Sequence, residues 1–154
     1  MSERDDSFLS RVMLVVDGSQ AGNAAARFAF RFAKRLNCPL TAVYIVDTAT
    51  LDYLLQMRIF VSDERDEMEA ALEAKGRSYL EHTRTMGESQ GVRVETKITR
   101  GSFHQSVLQQ ARQLNAETII IGGWKRSSHD KDTFSTEREL IMDLAVCPVI
   151  VVKG

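Results

Sequence analysis

Residues 12–36 read VMLVVDGSQAGNAAARFAFRFAKRL, and this stretch decides the fold. The run from Val12 to Val16 is apolar throughout and does not alternate with polar residues. Such a run is typical of a strand buried on both faces of a parallel sheet. After the tripeptide DGS at 17–19, apolar residues recur at helical spacing, at Ala21, Ala25, Phe28, Phe32 and Leu36. The stretch therefore predicts a buried strand that leads through a short turn into a helix.

The rest of the chain repeats this order of strand and helix. Strands are predicted at 40–46, 92–98 and 118–121 and in the C-terminal segment CPVIVVKG. Helices are predicted at 63–88, 102–114 and 136–145, and the last two begin with the capping boxes Ser102–Gln105 and Thr136–Glu139. Residues 48–62 are apolar without a clear period and are interpreted as a covering segment or short helix. The order βαβαβαβαβ predicts one α/β domain over residues 1–154, with a five-stranded parallel sheet and helices on both faces.

Composition excludes several classes of protein. The 154 residues carry a net charge of −1, so the chain lacks the strong field that would steer it to nucleic acid or to an anionic membrane. The charged start MSERDDSFLS does not resemble a signal peptide, and no apolar run approaches the roughly 20 residues that span a bilayer. Cys38 and Cys147 lack the spacing of metal ligands. We expect a cytoplasmic protein that binds neither nucleic acid nor membrane.

A ligand site is expected beyond the carboxyl ends of the strands, as in other doubly wound sheets. Asp17 ends the first strand, and Gly122 and Gly123 end the fourth. If these strands are neighbours, their loops face each other across a crevice. Simpler roles are also open: Ser19 and Thr136 suit helix caps, and the glycines suit a sharp exit from the strand.

The sequence offers no set of residues that indicates catalysis. The three histidines, at 82, 104 and 129, lie in separate predicted elements and lack the spacing of a metal pair. A Walker loop and the G-x-G-x-x-G pattern are both absent, and no Ser-His-Asp arrangement can be named. We therefore expect no enzyme activity and no metal site.

Several segments, taken in order, resemble the universal stress protein family. They are VMLVVDGSQAGNAAARFAFRFAKRL, TAVYIVD, ITRGSFHQSVLQQARQLNAETIIIGG and CPVIVVK, and together they extend over essentially the whole chain. The resemblance implies a Rossmann-like sheet with strand order 3-2-1-4-5. It also implies a cytoplasmic homodimer that pairs through its last strand and has a regulatory or protective role under stress. One branch of the family binds ATP through G-x-x-G-x₉-G followed by Ser or Thr, and the other branch lacks this motif.

Only part of that motif is present here. Gly122 matches the first glycine and Thr136 matches the hydroxyl position, whereas Lys125 and Ser135 replace the second and third glycines. The resemblance also implies that Asp17 lies on the adenine or ribose side of the ligand, and that Val15 and Ile45 hold the base.

The replacements predict a weakened phosphate site. A lysine side chain at 125 obstructs the close approach of backbone N–H groups to phosphate, and Glu137 adds a negative charge near the predicted start of the last helix. Lys125, Arg126 and Lys131 nevertheless keep the loop basic. The sequence thus predicts a dimeric regulatory protein that acts through an unidentified protein partner without tightly bound ATP. The alternative is a nucleotide sensor in which basic side chains replace the lost glycines.

Overall fold

The computed structural model describes residues 10–123 and 133–154. In chain order the elements are β1 (Val12–Val15), α1 (Gln20–Leu36), β2 (Leu40–Asp47), α2 (Thr48–Gln56), α3 (Ser62–Ser89), β3 (Val94–Gly101), α4 (Phe103–Gln113), β4 (Thr118–Gly122), α5 (Thr133–Leu144) and β5 (Val149–Val152). The segment interpreted as a covering segment or short helix contains the helix α2. None of the helices in the described ranges is both long enough and apolar enough to cross a bilayer.

The strands form one parallel sheet in the order β3-β2-β1-β4-β5, which confirms the predicted fold and topology. β1 lies at its centre, where Val12 pairs with Leu40 of β2 and with Thr118 of β4. Strand order therefore reverses between β1 and β4, and the carboxyl ends of both strands open onto the same crevice. β3 and β5 form the two edges.

Each face of the sheet carries its own apolar layer. Val12 and Leu14 of β1 pack in one cluster with Phe30 of α1 and Leu80 of α3. The alternate residues Met13 and Val15 pack in the other cluster with Val107 of α4 and Ile141 of α5. β1 is apolar at every position because both of its faces are covered by helices.

Two glycines let α1 approach the sheet closely. A Cβ added at Gly122 would lie 2.6 Å from the carbonyl carbon of Ala21 and 2.7 Å from the nitrogen of Gly22. A Cβ at Gly22 would collide with the Asp17 carboxylate. Gly122, which matches a phosphate-binding glycine in the resemblance, is thus required by the packing of α1 alone.

Both predicted capping boxes need correction. α5 begins at Thr133, so Thr136 lies inside the helix and does not cap it. Ser102 does precede α4 as its N-cap residue, but its side chain makes no capping hydrogen bond. Ser19, in contrast, caps α1 as expected, since its Oγ accepts a hydrogen bond from the nitrogen of Gly22 at 2.9 Å.

Candidate functional site

A cavity of about 710 Å³ opens at the carboxyl ends of β1 and β2, and we call it the cleft. It is bounded by the ends of these strands, by α2, by the first turn of α4 and by the middle of α5. Its described lining consists of Val16, Asp17, Tyr44, Ile45, Asp47, Ala49, Thr50, Tyr53, Leu54, Ser102, Phe103, Glu137 and Arg138. This is the place in the fold where the topology predicts a ligand.

The walls of the cleft are mainly apolar and aromatic. Tyr44 and Ile45 come from β2, Tyr53 from α2 and Phe103 from α4. Tyr44 is held from behind by α3, which comes close because its Gly76 has no side chain to meet the ring. Burial raises the pKa of the Tyr44 phenol, and Tyr79 and the Asp17 carboxylate raise it further. The phenol therefore stays protonated at neutral pH and can donate a hydrogen bond.

Asp17 is the most constrained carboxylate of the cleft. Its Oδ1 accepts hydrogen bonds from the backbone nitrogen of Ser19 at 2.9 Å and from the Ser19 hydroxyl at 2.7 Å. Its Oδ2 accepts from Nη2 of Arg138 at 2.6 Å. Both oxygens are thus engaged by the protein, and the end of β1 is tied to α5.

The Arg138 side chain that pairs with Asp17 is buried inside the protein. Its side chain is 1% exposed, and its partner Asp17 is 14% exposed. The guanidinium lies 5.1 Å from the centre of the Phe103 ring, and its Nε donates to the carbonyl oxygen of Gly122 at 3.4 Å. Burial of a charge is costly unless the charge is paired and hydrogen-bonded, and these contacts supply that compensation.

Glu137 caps a neighbouring helix. Its Oε2 accepts a hydrogen bond from the backbone nitrogen of His104 at 2.8 Å and lies 2.7 Å from Nδ1 of the same residue. It therefore satisfies a free N–H group in the first turn of α4, where the N-cap Ser102 does not. The expectation that Glu137 lies near the start of its own helix is corrected, because α5 begins four residues earlier, at Thr133.

His104 is not arranged as a proton relay. The Ser102 hydroxyl lies 3.4 Å from Nδ1 of His104, and Glu137 approaches that same nitrogen. In a Ser-His-acid triad the serine and the acid contact opposite nitrogens of the ring. Within the described ranges, moreover, no group of three or more His, Cys, Asp or Glu residues could hold a metal ion.

The predicted site residues are only partly brought together. Asp17 and Ile45 line the cleft. Val15 is buried in the core beneath it, and the next residue, Val16, lines the cavity instead. Gly122 receives the Arg138 hydrogen bond, and the nitrogen of Gly123 donates to the carbonyl oxygen of Val152 at 2.7 Å.

The structure describes only some of the residues that the prediction assigned to phosphate. Thr136 is exposed in α5 and is not among the described lining residues. Ser135 lies in the first turn of α5, and the structure describes only its backbone. Lys125, Arg126 and Lys131 lie outside the described residues. The predicted phosphate contacts of these residues therefore remain predictions.

Sequence reasoning missed Arg138. It is three residues before Ile141, a fully buried member of the core, and so it shares the inward face of α5. An arginine on the buried face of a helix is rarely left without a buried partner. Its position in the sequence therefore could have indicated an ion pair with an acidic residue such as Asp17.

Comparison with known proteins agrees with the fold. The model of the universal stress protein family matches residues 9–153. A universal stress protein of Methanocaldococcus jannaschii is 22% identical over 148 residues, which are 96% of this chain and 84% of that protein.

Solved structures lead to the same family. The universal stress protein UspA from Lactobacillus plantarum has a TM-score of 0.75 and 22% identity, with 94% of this chain and 97% of that chain covered. A family member from Arabidopsis thaliana, solved with AMP bound, has a TM-score of 0.66 and 18% identity, with 94% and 91% covered. The family match spans nearly all of the chain, and the chain belongs to the universal stress protein family.

Proposed function

We propose that this chain is a regulatory stress protein that acts as a homodimer through a protein partner and does not hold ATP tightly. The observation that carries the proposal is the buried ion pair between Arg138 and Asp17. It engages the carboxylate that the family resemblance assigns to the nucleoside, and a nucleotide that used this carboxylate would have to compete with Arg138.

Two further features support weak binding of phosphate. Gly122 is explained by the packing of α1, so its presence is no sign of a phosphate contact. Glu137 lines the cleft with a carboxylate, which would repel a triphosphate placed near it. The proposal includes no catalytic reaction, because Ser102 and Glu137 both approach Nδ1 of His104 and so form no relay.

The dimer is proposed to form through β5. This strand lies at an edge of the sheet, and all four of its residues are partly exposed. Nearby, Leu144 and Val146 are 54% and 85% exposed. An apolar edge strand is prone to pairing with another chain, and pairing with its own copy gives a self-complementary contact.

A second candidate function is an adenine-nucleotide sensor in the cytoplasm. The size and the aromatic walls of the cleft favour it, since small-molecule sites are concave and mostly apolar. The Arabidopsis relative with AMP bound is consistent with it. In this case Lys125 would contribute part of the phosphate binding.

Two measurements separate these candidates. Protein purified without added nucleotide is denatured, and the released adenine nucleotide is quantified by chromatography. ATP is then titrated into the native protein by calorimetry, with Lys125→Ala as the comparison. We expect no released nucleotide and a Kd weaker than about 0.1 mM, which corresponds to less than about 5.5 kcal/mol. Micromolar ATP binding that is lost in Lys125→Ala would support the sensor and refute the leading proposal.

A further inference from the structure

The junction between α2 and α3 exposes a concentration of apolar side chains. Half of the large apolar side chains that are exposed in the described ranges fall within residues 53–68, and each of these is between 44% and 65% exposed. Single apolar side chains on a surface need no explanation, whereas a group of them marks an interaction site. We call this group the junction patch, and its members are Tyr53, Met57, Ile59, Val61 and Met68.

The two helices that carry the patch are joined by hydrogen bonds. Nε of Arg65 in α3 donates to Oδ1 of Asp52 in α2 at 2.9 Å. The turn between the helices is bonded back to α2, since the nitrogen of Ile59 donates to the carbonyl oxygen of Leu54 at 3.0 Å. Arg58 in this turn has a φ of 57°, a left-handed conformation that residues other than glycine seldom adopt and that the surrounding contacts maintain.

The patch forms one surface across both helices. Tyr53 and Met57 are four residues apart, so they lie on the same side of α2. Val61 and Met68 are seven residues apart, so they lie on the same side of α3. Arg65 lies on that side too, and its ion pair with α2 shows that this side is turned toward α2. An apolar surface shared by two adjacent helices suits the apolar face of a third helix.

The patch is surrounded by carboxylates. Residues 48–69, all of them described, contain six acidic residues and two arginines, which leaves an excess of four negative charges. Asp63 and Glu67 are exposed and make no ion pair with another residue in the described ranges. The acidic residues of this segment are Asp52, Asp63, Glu64, Asp66, Glu67 and Glu69, and we call them the acidic rim.

An apolar centre within an acidic rim defines the chemistry of a partner. The apolar centre supplies affinity, and the charged rim supplies specificity and a fast association rate. An anionic membrane and a nucleic acid would both be repelled by the rim. Met57 and Met68 have flexible side chains that adapt to the apolar surface of a partner. These properties fit a helix with one apolar face and cationic flanks.

We propose that the junction patch docks a basic amphipathic helix of a protein partner. The apolar face of that helix packs across α2 and α3, and its Lys and Arg side chains pair with carboxylates of the acidic rim, Asp63 and Glu67 among them. The inference rests on the proposed function, because it takes the action through a protein partner as given and assigns the surface and the chemistry of that partner.

A model peptide serves as the probe. It consists of Lys and Leu, is about 18 residues or roughly five helical turns long, and carries Leu at helical spacing. One control peptide has the same composition in scrambled order, and the other has Glu in place of Lys. By fluorescence anisotropy at about 0.01 M ionic strength, we expect the native protein to bind the Lys–Leu peptide at least about tenfold more tightly than either control.

Ile59→Ser tests the apolar contact. Ile59 is the most exposed member of the junction patch, so the fold does not depend on its side chain. The change should weaken binding of the Lys–Leu peptide at least about tenfold, because a large aliphatic side chain no longer becomes buried on binding. Leu36→Ser is the matched control: it removes an exposed isomeric side chain from α1, before the start of β2, whereas α2 follows the end of that strand. Its affinity should stay within about twofold of native.

Asp63→Asn combined with Glu67→Gln tests the acidic rim. Removing two unit charges about 7 Å from peptide cations in water should weaken binding at least about fivefold at about 0.01 M ionic strength. The effect should shrink to about twofold at about 0.15 M, where the screening length falls from about 30 to about 8 Å. Glu81→Gln combined with Glu88→Gln is the matched control, since it removes two exposed carboxylates from the other half of the same helix. This control should stay within about twofold of native.

Three results would overturn the inference. The first is equal binding of the Lys–Leu peptide and its Glu-containing control, and the second is an unchanged affinity in Ile59→Ser. The third is a lower oligomeric state of Ile59→Ser in sedimentation, because a second copy of the chain would then cover the junction patch. The proposed function has a separate test in the ATP titration, where micromolar binding would contradict that proposal without altering the peptide result.

Discussion

Removing Arg138 tests whether its pair with Asp17 holds the cleft together. Arg138→Met keeps a long side chain in place and leaves the Asp17 carboxylate, only 14% exposed, with its two Ser19 donors. Loss of one partner from a buried pair costs about 3–5 kcal/mol. Asp17 retains those donors and some solvent, so we expect the lower part of that range, about 3 kcal/mol of unfolding free energy. For a chain of this size the melting temperature should fall by about 6–12 °C.

Urea unfolding followed by circular dichroism measures this loss, and two variants make it specific. Arg84→Met removes an exposed arginine that pairs with Glu81 and Glu88 on the surface of α3, and should cost less than about 1 kcal/mol. The double variant Asp17→Asn with Arg138→Met removes both charges while asparagine can still accept from Ser19. It should be at least about 1 kcal/mol more stable than Arg138→Met alone, because no unpaired carboxylate is left.

The reasoning would be refuted by a loss for Arg138→Met no larger than that for Arg84→Met. It would equally be refuted if Asp17→Asn made the Arg138→Met protein less stable. Either result would mean that Asp17 and Arg138 are not coupled in the way that their 2.6 Å contact implies.

Four further predictions follow from individual contacts. Gly122→Ala should cost about 2–4 kcal/mol in urea unfolding, because its Cβ would meet the backbone of α1 at 2.6 Å; an unchanged midpoint would contradict the close packing. Glu137→Val should lower stability by about 1–2 kcal/mol by uncapping α4, and Glu137→Gln should cost less because the amide oxygen still accepts. Burial, and to a smaller extent the Glu117 carboxylate, raise the pKa of the Cys38 thiol. At pH 8 the thiolate fraction of Cys38 is therefore smaller than that of an exposed cysteine. Iodoacetamide should therefore alkylate it slowly, at a rate that still rises above about pH 9, whereas a plateau below that pH would contradict the raised pKa. Ile150→Lys should give a monomer in sedimentation; a dimer would place the interface away from β5.

The sheet could be predicted from the sequence because its signals are local. Runs such as Val12–Val16 and Ile119–Ile121 are apolar at every position, as is typical of strands covered on both faces. Residues 92–98, in contrast, alternate in sequence between apolar and polar, and β3 is found at an edge of the sheet with most of its residues at least partly exposed. Strand order and crossover direction then follow from general rules of topology together with the family resemblance.

The start of α5 could not be predicted in the same way. The pattern of Thr136 followed by Glu139 satisfies the capping-box rule, yet the helix begins at Thr133. The contact of the neighbouring Glu137 could not be predicted either, because its carboxylate accepts from an N–H group of another helix, α4. A hydrogen bond from a carboxylate to a neighbouring helix cannot be recognised from the spacing of residues along the chain.

The chemistry of the cleft is likewise decided by partners that are distant in the sequence. Asp17 and Arg138 are separated by 121 positions, and only the adjacency of β1 and β4 brings the start of α1 and the middle of α5 together. From the sequence, Asp17 at the end of a strand suggests a ligand contact. In the structure it is one partner of a buried ion pair with Arg138. The remaining carboxylates, Asp47 and Glu137, are fixed by helix starts that they cap. Among the described residues, the carboxylates of the cleft are thus placed by hydrogen bonds that serve the fold itself, and these contacts are invisible to a reading of the sequence.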